Sequence, residues 1–128
     1  MKKRIQTDNA PAPTGPYSQA ILEGGFVFIS GQDGIHPNGE SAGETIALQT
    51  EAALRNIESI LKEAGGSLEN LVFVTCHLDD LTEEKANEFN QAYRKYFNQV
   101  EKKPARITVG SQLLDGKVEI TAIASIDR

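Results

Sequence analysis

The chain has 128 residues, which is enough for one domain and short for two. Its net charge of -5 argues against nucleic-acid binding, which depends on a basic surface that neutralises phosphates. No stretch approaches the ~20 apolar residues of a membrane span, and the N-terminus lacks the apolar core of a secretory signal. We therefore expect a single domain over residues 1–128, in the cytoplasm.

The first strand is predicted after an N-terminal region that contains a distinctive turn. Gly15-Pro16 stands before Tyr17, and a permissive residue followed by a rigid one is expected to hold this tyrosine in place. The β-branched and aromatic run FVFIS at 26–30 predicts a strand. Residues 31–40 are rich in Gly, Pro, Asn and Asp and predict a loop.

Two helices are predicted by apolar residues that recur at spacings of three and four. The first lies within 41–64, where Ser41 and Glu44 have the spacing of a capping box and Gly65-Gly66 supply a stop. The second runs from about 82 to 97, with aromatic residues along its buried stripe.

Three more strands are predicted, at 71–78, 107–110 and 117–126. With one further strand before residue 26, to which the sequence assigns no bounds, the expected element order is β-β-α-β-α-β-β, which favours an α+β domain with a mixed sheet. Right-handed crossovers tend to place both helices on the same face of such a sheet. In the last strand, Val118 and the alternate residues after it are expected to lie beneath the helices.

The strands are apolar on both faces, although helices would cover only one of them. Phe26 and Phe28 alternate with Val27 and Ile29, and strands of this kind are normally buried on both sides. We therefore predict a homo-oligomer in which a second copy covers the open face. Glu119 would point to that face, where a buried carboxylate is costly unless a cation or hydrogen-bond donors meet it.

The residue types that bind metals or act as nucleophiles form no recognisable cluster. His36 and His77 share no ligand spacing with Cys76, which argues against a zinc site. Cys76 and His77 are adjacent in a predicted strand, so their side chains point to opposite faces and cannot pair. We expect a buried structural cysteine and no metal.

Two polar residues have both a structural and a functional interpretation. Arg106 follows Pro104-Ala105 at the start of a strand. It forms either a surface ion pair or a bidentate contact with the carboxylate of a ligand. Asn90 lies on the buried stripe of the second helix and needs hydrogen-bond partners, which either a loop or a ligand could supply.

Six segments together resemble the RidA (YjgF) family. In chain order they are GPYSQAI, FISGQ, LQTEAALRNIESILKEAG, NQAYRKYF, PARITV and VEITAIA, and the match runs from about Asn9 to Ala124. The resemblance implies a chorismate-mutase-like α+β fold and a homotrimer with clefts between neighbouring subunits. Active members are enamine/imine deaminases without cofactor or metal. They hydrolyse reactive 2-imino acids, such as 2-iminopropanoate and 2-iminobutanoate, to 2-keto acids and ammonia, which protects metabolism from these intermediates.

The resemblance also implies which residues form the site. Arg106 would bind the substrate carboxylate, Glu119 would position the hydrolytic water, and Tyr17 would contact the substrate or the water. Four further residues would line the pocket, namely Ser30, Gly31, Asn90 and Thr108. An imino acid carries one carboxylate, which suits an arginine, and its hydrolysis needs an oriented water, which suits a glutamate.

The chain departs from the common family pattern at three places. Asp33-Gly34 replaces an apolar residue and a proline, Thr108 replaces a frequent cysteine, and the connection at 112–117 is short. These departures affect the expected substrate range more than the expected reaction.

Two other functions are alternatives to the deaminase. A regulatory module that binds a small carboxylate without turnover would use Arg106 equally, whereas only turnover would require Glu119. A translation initiation inhibitor or ribonuclease is the other alternative, because both names are attached to the family. The acidic charge and the lack of a basic aromatic stripe weigh against it.

Overall fold

Six strands and two α-helices are present in the structure, a computed structural model that describes residues 1–126. The strands are β1 Lys3–Ile5, β2 Ala20–Glu23, β3 Phe26–Asp33, β4 Leu71–Leu78, β5 Ala105–Gly110 and β6 Val118–Ser125. The helices are α1 Ile46–Glu63 and α2 Glu83–Tyr96. Neither of them is long and apolar enough to cross a membrane. Residues 127 and 128 of the predicted domain lie outside the described residues.

The strands form one mixed sheet with the order β1-β2-β3-β6-β4-β5. Neighbouring strands are antiparallel except β4 and β5, which are parallel and connected through α2. Helix α1 packs against α2 and against β3 and β6. The predicted α+β architecture, a mixed sheet with two helices, is therefore confirmed.

The hydrophobic core lies between the helices and one face of the sheet. Leu54 and Ile57 of α1 are fully buried, and so is Phe89 of α2. Burial alternates along β6, where the buried residues are Val118, Ile120, Ala122 and Ala124. Large side chains buried in this way each contribute ~1.5–3 kcal/mol. The prediction that this face of the last strand lies beneath the helices is confirmed.

Strand β3 continues three residues further than predicted, to Asp33. The register shifts at a bulge between Ile29 and Gln32, and pairing with β6 then resumes. The prediction of a loop from residue 31 was therefore wrong at its start. Hydrogen bonding to β6 outweighs the turn preference of glycine and aspartate at these positions, since strand formation depends strongly on tertiary context.

Helix α1 begins later than the predicted capping box. Thr45 is its N-cap, and the Thr45 hydroxyl accepts a hydrogen bond from the Leu48 amide at 3.1 Å. Gly43 has a φ of +136°, which is incompatible with a helix, so the chain is not helical from Ser41. The Ser41 hydroxyl instead accepts a hydrogen bond from the Gly43 amide within the loop. The capping box was therefore wrong, whereas Gly65, with a φ of +91°, follows the helix as predicted.

The short strand β1 was not predicted. It pairs antiparallel with β2, and Ile5 at its end is buried. A single apolar residue, Ile5, after a run of basic residues shows no alternating pattern that would predict a strand. The extended conformation of β1 therefore depends on its pairing with β2.

The sheet face opposite the helices is open, and one end of it is apolar. Phe28, Ile123 and Phe73 are register partners across β3, β6 and β4 and form one row. Phe26 and Ile107 are on the same face, and their exposed fractions are 44% and 49%. Both faces of the sheet are thus apolar, as predicted from the sequence, and the homo-oligomer stays a prediction.

Candidate functional site

A cleft of about 1090 Å³ opens on the uncovered side of the sheet. Its lining includes Tyr17, Ser30, Gly31 and Glu119, together with the loop 111–116. We call it the glutamate cleft. It contains four of the residues that the family resemblance assigns to the site.

Tyr17 is held at this cleft by its own loop. Its amide donates to the Gly15 carbonyl at 2.9 Å, and its hydroxyl lies 3.3 Å from the Thr14 hydroxyl. The ring packs over Gly15, where a Cβ would come within 3.1 Å of the ring carbon Cε2. Since Tyr17 is 49% exposed, a ligand in the cleft can reach its ring and hydroxyl.

Gln19 fixes the segment around Tyr17 and was not identified from the sequence. Its buried amide donates to the carbonyls of Thr7 and Pro11 at 3.0 and 2.9 Å, and its oxygen accepts from the Thr7 amide at 2.8 Å. The Ser30 hydroxyl adds a bond of 2.6 Å to the Ser18 carbonyl. A glutamine directly before an apolar strand was the available signal, because such a residue is buried only when its amide is satisfied.

Glu119 stands in the middle of a polar row across three strands. It is the register partner of Asp33 on β3 and of His77 on β4. A Cβ at Gly31 would collide with the Glu119 carboxyl, so any other residue there would require this carboxyl to move. At the other end of the row, Nδ1 of His77 lies 2.7 Å from the Ser111 hydroxyl.

Asp33 stands at the β3 end of this row and is partly buried. Its pKa is raised from 3.8 to about 7, mainly by burial and in addition by the hydrogen bond and charge of Glu119 and by the charge of Asp115. Its Oδ1 atom is buried and has no hydrogen bond within the described part of the chain. The sequence did not reveal its place beside Glu119, because β3 was expected to end at residue 30.

Arg106 lies on the other side of the sheet, at the edge strand β5. Its register partner is Val74, which is buried beneath the helices. The guanidinium carbon lies 4.7 Å from the ring centroid of Tyr93 and 5.7 Å from that of Phe89. No salt bridge among residues 1–126 involves Arg106, so its N–H groups are available to a ligand carboxylate.

Arg106 lines a groove of about 360 Å³ together with Asn90 and Thr108. We call it the arginine groove. The hydroxyls of Thr108 and Tyr93 are buried and lack hydrogen-bond partners among the residues that the structure describes. Burial raises the pKa of Tyr93 well above its ordinary value, so its hydroxyl stays neutral. The groove thus combines the guanidinium of Arg106 with uncharged polar groups and with the carboxylate of Glu83.

Cys76 is fully buried between the helices and the sheet. Burial raises the pKa of its thiol to about 12, which leaves almost no thiolate near neutral pH. The structural interpretation of this cysteine is thus supported. Among residues 1–126, no group of three or more His, Cys, Asp and Glu side chains is arranged to hold a metal ion.

The glutamate cleft and the arginine groove lie on opposite faces of the sheet. Glu119 of the cleft is the register partner of His77 on β4, and Thr108 of the groove is the register partner of Cys76, the residue before His77. Consecutive residues of a strand point to opposite faces of the sheet, so the side chains of Glu119 and Thr108 lie on opposite faces. A single chain therefore does not bring the two halves of the predicted site together.

The sequence matches the family model described as Endoribonuclease L-PSP over residues 7–126. A RutC family protein of Aquifex aeolicus is 44% identical over 124 residues, which cover 95% of this chain and 98% of that protein. The 2-iminobutanoate/2-iminopropanoate deaminase of Bos taurus is 38% identical over 125 residues, which cover 97% of this chain and 90% of that protein.

Solved structures share the same fold. RidA from an Antarctic Psychrobacter species matches with a TM-score of 0.88 and 39% identity, over 97% of this chain and 99% of that one. Escherichia coli TdcF, solved with bound serine, matches with a TM-score of 0.89 and 33% identity, over 96% of this chain and 98% of that one.

Proposed function

The chain belongs to the RidA (YjgF) family, and we propose that it is an enamine/imine deaminase that hydrolyses 2-imino acids to 2-keto acids and ammonia. The substrates we propose, 2-iminobutanoate and 2-iminopropanoate, are those in the name of the Bos taurus relative. The observation that carries the proposal is Arg106, which is stacked on Tyr93 and has no salt bridge within the described residues. Removal of such reactive imines would protect metabolism.

Arg106 suits the one group that all 2-imino acids share, their carboxylate. The guanidinium lies over the rings of Tyr93 and Phe89, and its N–H groups can bind both carboxylate oxygens of a ligand. Hydrogen bonds to charged groups contribute ~1.5–3 kcal/mol each. Asn90 and Thr108 stand beside it to bind the remaining polar atoms of the substrate.

We place the complete site between two copies of the chain. The arginine groove of one copy would face the glutamate cleft of the next, because each holds groups that the other lacks. The apolar row of Phe28, Ile123 and Phe73, in which both phenylalanines are exposed, provides the surface through which copies associate. A closed homotrimer would contain three such sites.

Within the joined site, Glu119 would orient a water toward the imine carbon of a substrate held by Arg106. The water oxygen bonds to that carbon, while a proton passes through Glu119 to the imine nitrogen. The proton of the new hydroxyl then also passes to the nitrogen, the carbon–nitrogen bond breaks as the carbonyl forms, and ammonia leaves. Holding substrate and water together lowers the entropic part of the barrier, and the exposed Tyr17 hydroxyl would contact one of them.

The proposal is tested by imine hydrolysis with purified protein. An amino-acid oxidase generates the imino acid in situ, and semicarbazide traps whatever is not hydrolysed. Wild type should lower the amount of trapped product, and Arg106→Ala should reduce kcat/KM about 100-fold, since it removes about 3 kcal/mol of charged hydrogen bonding.

The matched control is Arg94→Ala, which removes an exposed arginine of α2. Its activity should equal that of wild type. Full activity in the Arg106→Ala protein would overturn the proposal.

A small-carboxylate-binding module without turnover is the second candidate. The observation that favours it is the serine bound in TdcF, since serine also carries a carboxylate. The same assay separates the two functions if Glu119→Gln is included. A deaminase loses turnover but keeps carboxylate binding in this variant, whereas a binding module shows no turnover even as wild type.

The ribonuclease alternative, which the description of the family model names, is opposed by the charge of the cleft. Asp33, Asp115 and Glu119 line it, and no lysine or arginine of residues 1–126 does. An acidic cleft repels the phosphates of RNA.

A further inference from the structure

Asp33 and Glu119 stand side by side on the open face of the sheet. They are register partners on β3 and β6, and both line the glutamate cleft. The bulge between Ile29 and Gln32 gives β3 an extra residue in this stretch, which turns Asp33 toward the cleft instead of toward the helices. The geometry of the sheet therefore keeps the two carboxyls together.

Among the described residues, no lysine or arginine lines the cleft to compensate these two acids. The other titratable groups around the pair are Asp115 from the loop before β6, His77 next to Glu119 on β4, and Tyr17. None of the salt bridges in the described part of the chain involves either carboxyl. Two adjacent ionised carboxylates repel each other and lose hydration, so such a pair is most stable when it shares one proton.

The surroundings of Asp33 favour it as the residue that carries this proton. Its Oδ1 atom is buried and accepts no hydrogen bond from the described residues, which costs more for an ionised carboxylate than for a neutral acid. Burial is also the largest cause of its raised pKa, ahead of the hydrogen bond and charge of Glu119.

We propose that Asp33 is a positioning residue, whose protonated carboxyl donates a hydrogen bond to Glu119 and fixes it as the carboxylate that orients water. This inference rests on the proposed function, since the role it assigns belongs to the hydrolysis. One oxygen of Glu119 is held by Asp33, and the other is left for the water. The pair of Asp33 and Glu119 then presents one negative charge instead of two to an anionic substrate.

Asp33 keeps its proton throughout the reaction. Glu119 takes a proton from the attacking water as the carbon–oxygen bond forms, and gives it to the nitrogen. The proton of the new hydroxyl follows the same route as the carbon–nitrogen bond breaks and ammonia leaves, so Glu119 ends as the carboxylate. Above about pH 7, Asp33 ionises, repels Glu119 and weakens binding of the anionic substrate.

The protonation of Asp33 is measured without any substrate. Carboxyl ¹³C NMR of aspartate-labelled protein follows the titration of Asp33, assigned as the signal that is missing in Asp33→Asn. The carboxyl should titrate near pH 7 in wild type and at lower pH in Glu119→Gln, because the repulsion is removed. Titration of the wild-type Asp33 carboxyl near pH 4 would overturn the proposal.

The positioning role is measured by the pH dependence of kcat/KM for imine hydrolysis. Above pH 7, the wild-type value should fall about tenfold per pH unit. In Asp33→Asn it should stay level to at least about pH 8.5, because an amide donor cannot ionise. Asp79→Asn, the same change at an exposed aspartate, should follow wild type.

If kcat/KM of Asp33→Asn depends on pH in the same way as that of wild type, the positioning role is contradicted. If the wild-type protein hydrolyses no imino acid at any pH, the proposed function is contradicted. The NMR titration then still shows whether Asp33 is protonated near neutral pH.

Discussion

Gly31 illustrates how one small residue determines the position of a reacting group. Its φ lies outside the left-handed region, so the backbone does not require glycine there. The requirement is steric, because a Cβ would occupy the space of the Glu119 carboxyl. The proposed water-orienting group thus depends on the absence of a methyl group on the neighbouring strand.

We expect Gly31→Ala to lower kcat/KM for imine hydrolysis at least about tenfold, by displacing Glu119 from its position beside Asp33 (a loss of roughly 1.4 kcal/mol in transition-state binding). Binding of a small carboxylate such as pyruvate should change less, since Arg106 is untouched. A thermal melt checks that the variant is folded. Wild-type activity in a folded Gly31→Ala protein would contradict this steric role.

At the scale of elements, the bulge in β3 has the largest consequence for the site. The period of a strand is two, so one extra residue reverses which side chains face the helices. After the bulge, Gln32 is buried and Asp33 faces the cleft. A regular strand would have placed the aspartate beneath the helices, where an unpaired carboxyl is strongly destabilising.

Helix α1 allows a test of an element boundary. Thr45→Ala should lower the free energy of unfolding by about 1 kcal/mol, because it removes the acceptor for the Leu48 amide. Ser41→Ala should cost less, since its hydroxyl bonds only within an exposed loop. Urea denaturation of both variants and wild type measures the difference. If Ser41→Ala lowers the free energy of unfolding more than Thr45→Ala does, the helix begins at the capping box predicted from the sequence and not at Thr45.

At the scale of the whole molecule, the sheet separates the two halves of the site. The arginine groove lies on the helix side of the edge strand β5, and the glutamate cleft lies on the open face. No side-chain rotation brings Arg106 through the sheet to Glu119. The proposed chemistry therefore requires two copies, and the apolar row on the open face explains why they would associate.

A mixture of two inactive variants should regain activity. In mixed oligomers of Arg106→Ala and Glu119→Gln, a site is intact when its groove comes from the Glu119→Gln chain and its cleft from the Arg106→Ala chain. Random assembly at equal amounts makes about one quarter of the sites intact, so about one quarter of wild-type activity is expected.

The mixture is prepared by co-expression, and native mass spectrometry confirms that mixed oligomers are present. Pairing Arg106→Ala with the double variant Arg106→Ala/Glu119→Gln serves as the control and should show no recovery. Mixed oligomers without recovery would show that each site is built from a single chain.

Local patterns in the sequence were sufficient for most of the secondary structure. The helix predicted at 82–97 and the strand at 71–78 agree with α2 and β4 to within a residue. Apolar periodicity depends on neighbours along the chain, which is why it can be read without the fold. The residue types proposed for the site came from the family resemblance, which the comparisons confirm at the level of the family.

Only the tertiary structure decided where those residues lie. The bulge in β3 depends on pairing with β6, and the two strands are far apart in the sequence, so the contact between Asp33 and Glu119 left no local signal. The start of α1 depended on the φ of Gly43, which the sequence pattern did not reveal. The separation of Arg106 from Glu119 likewise follows from strand order and register, because side-chain direction is known only once each strand has its partners.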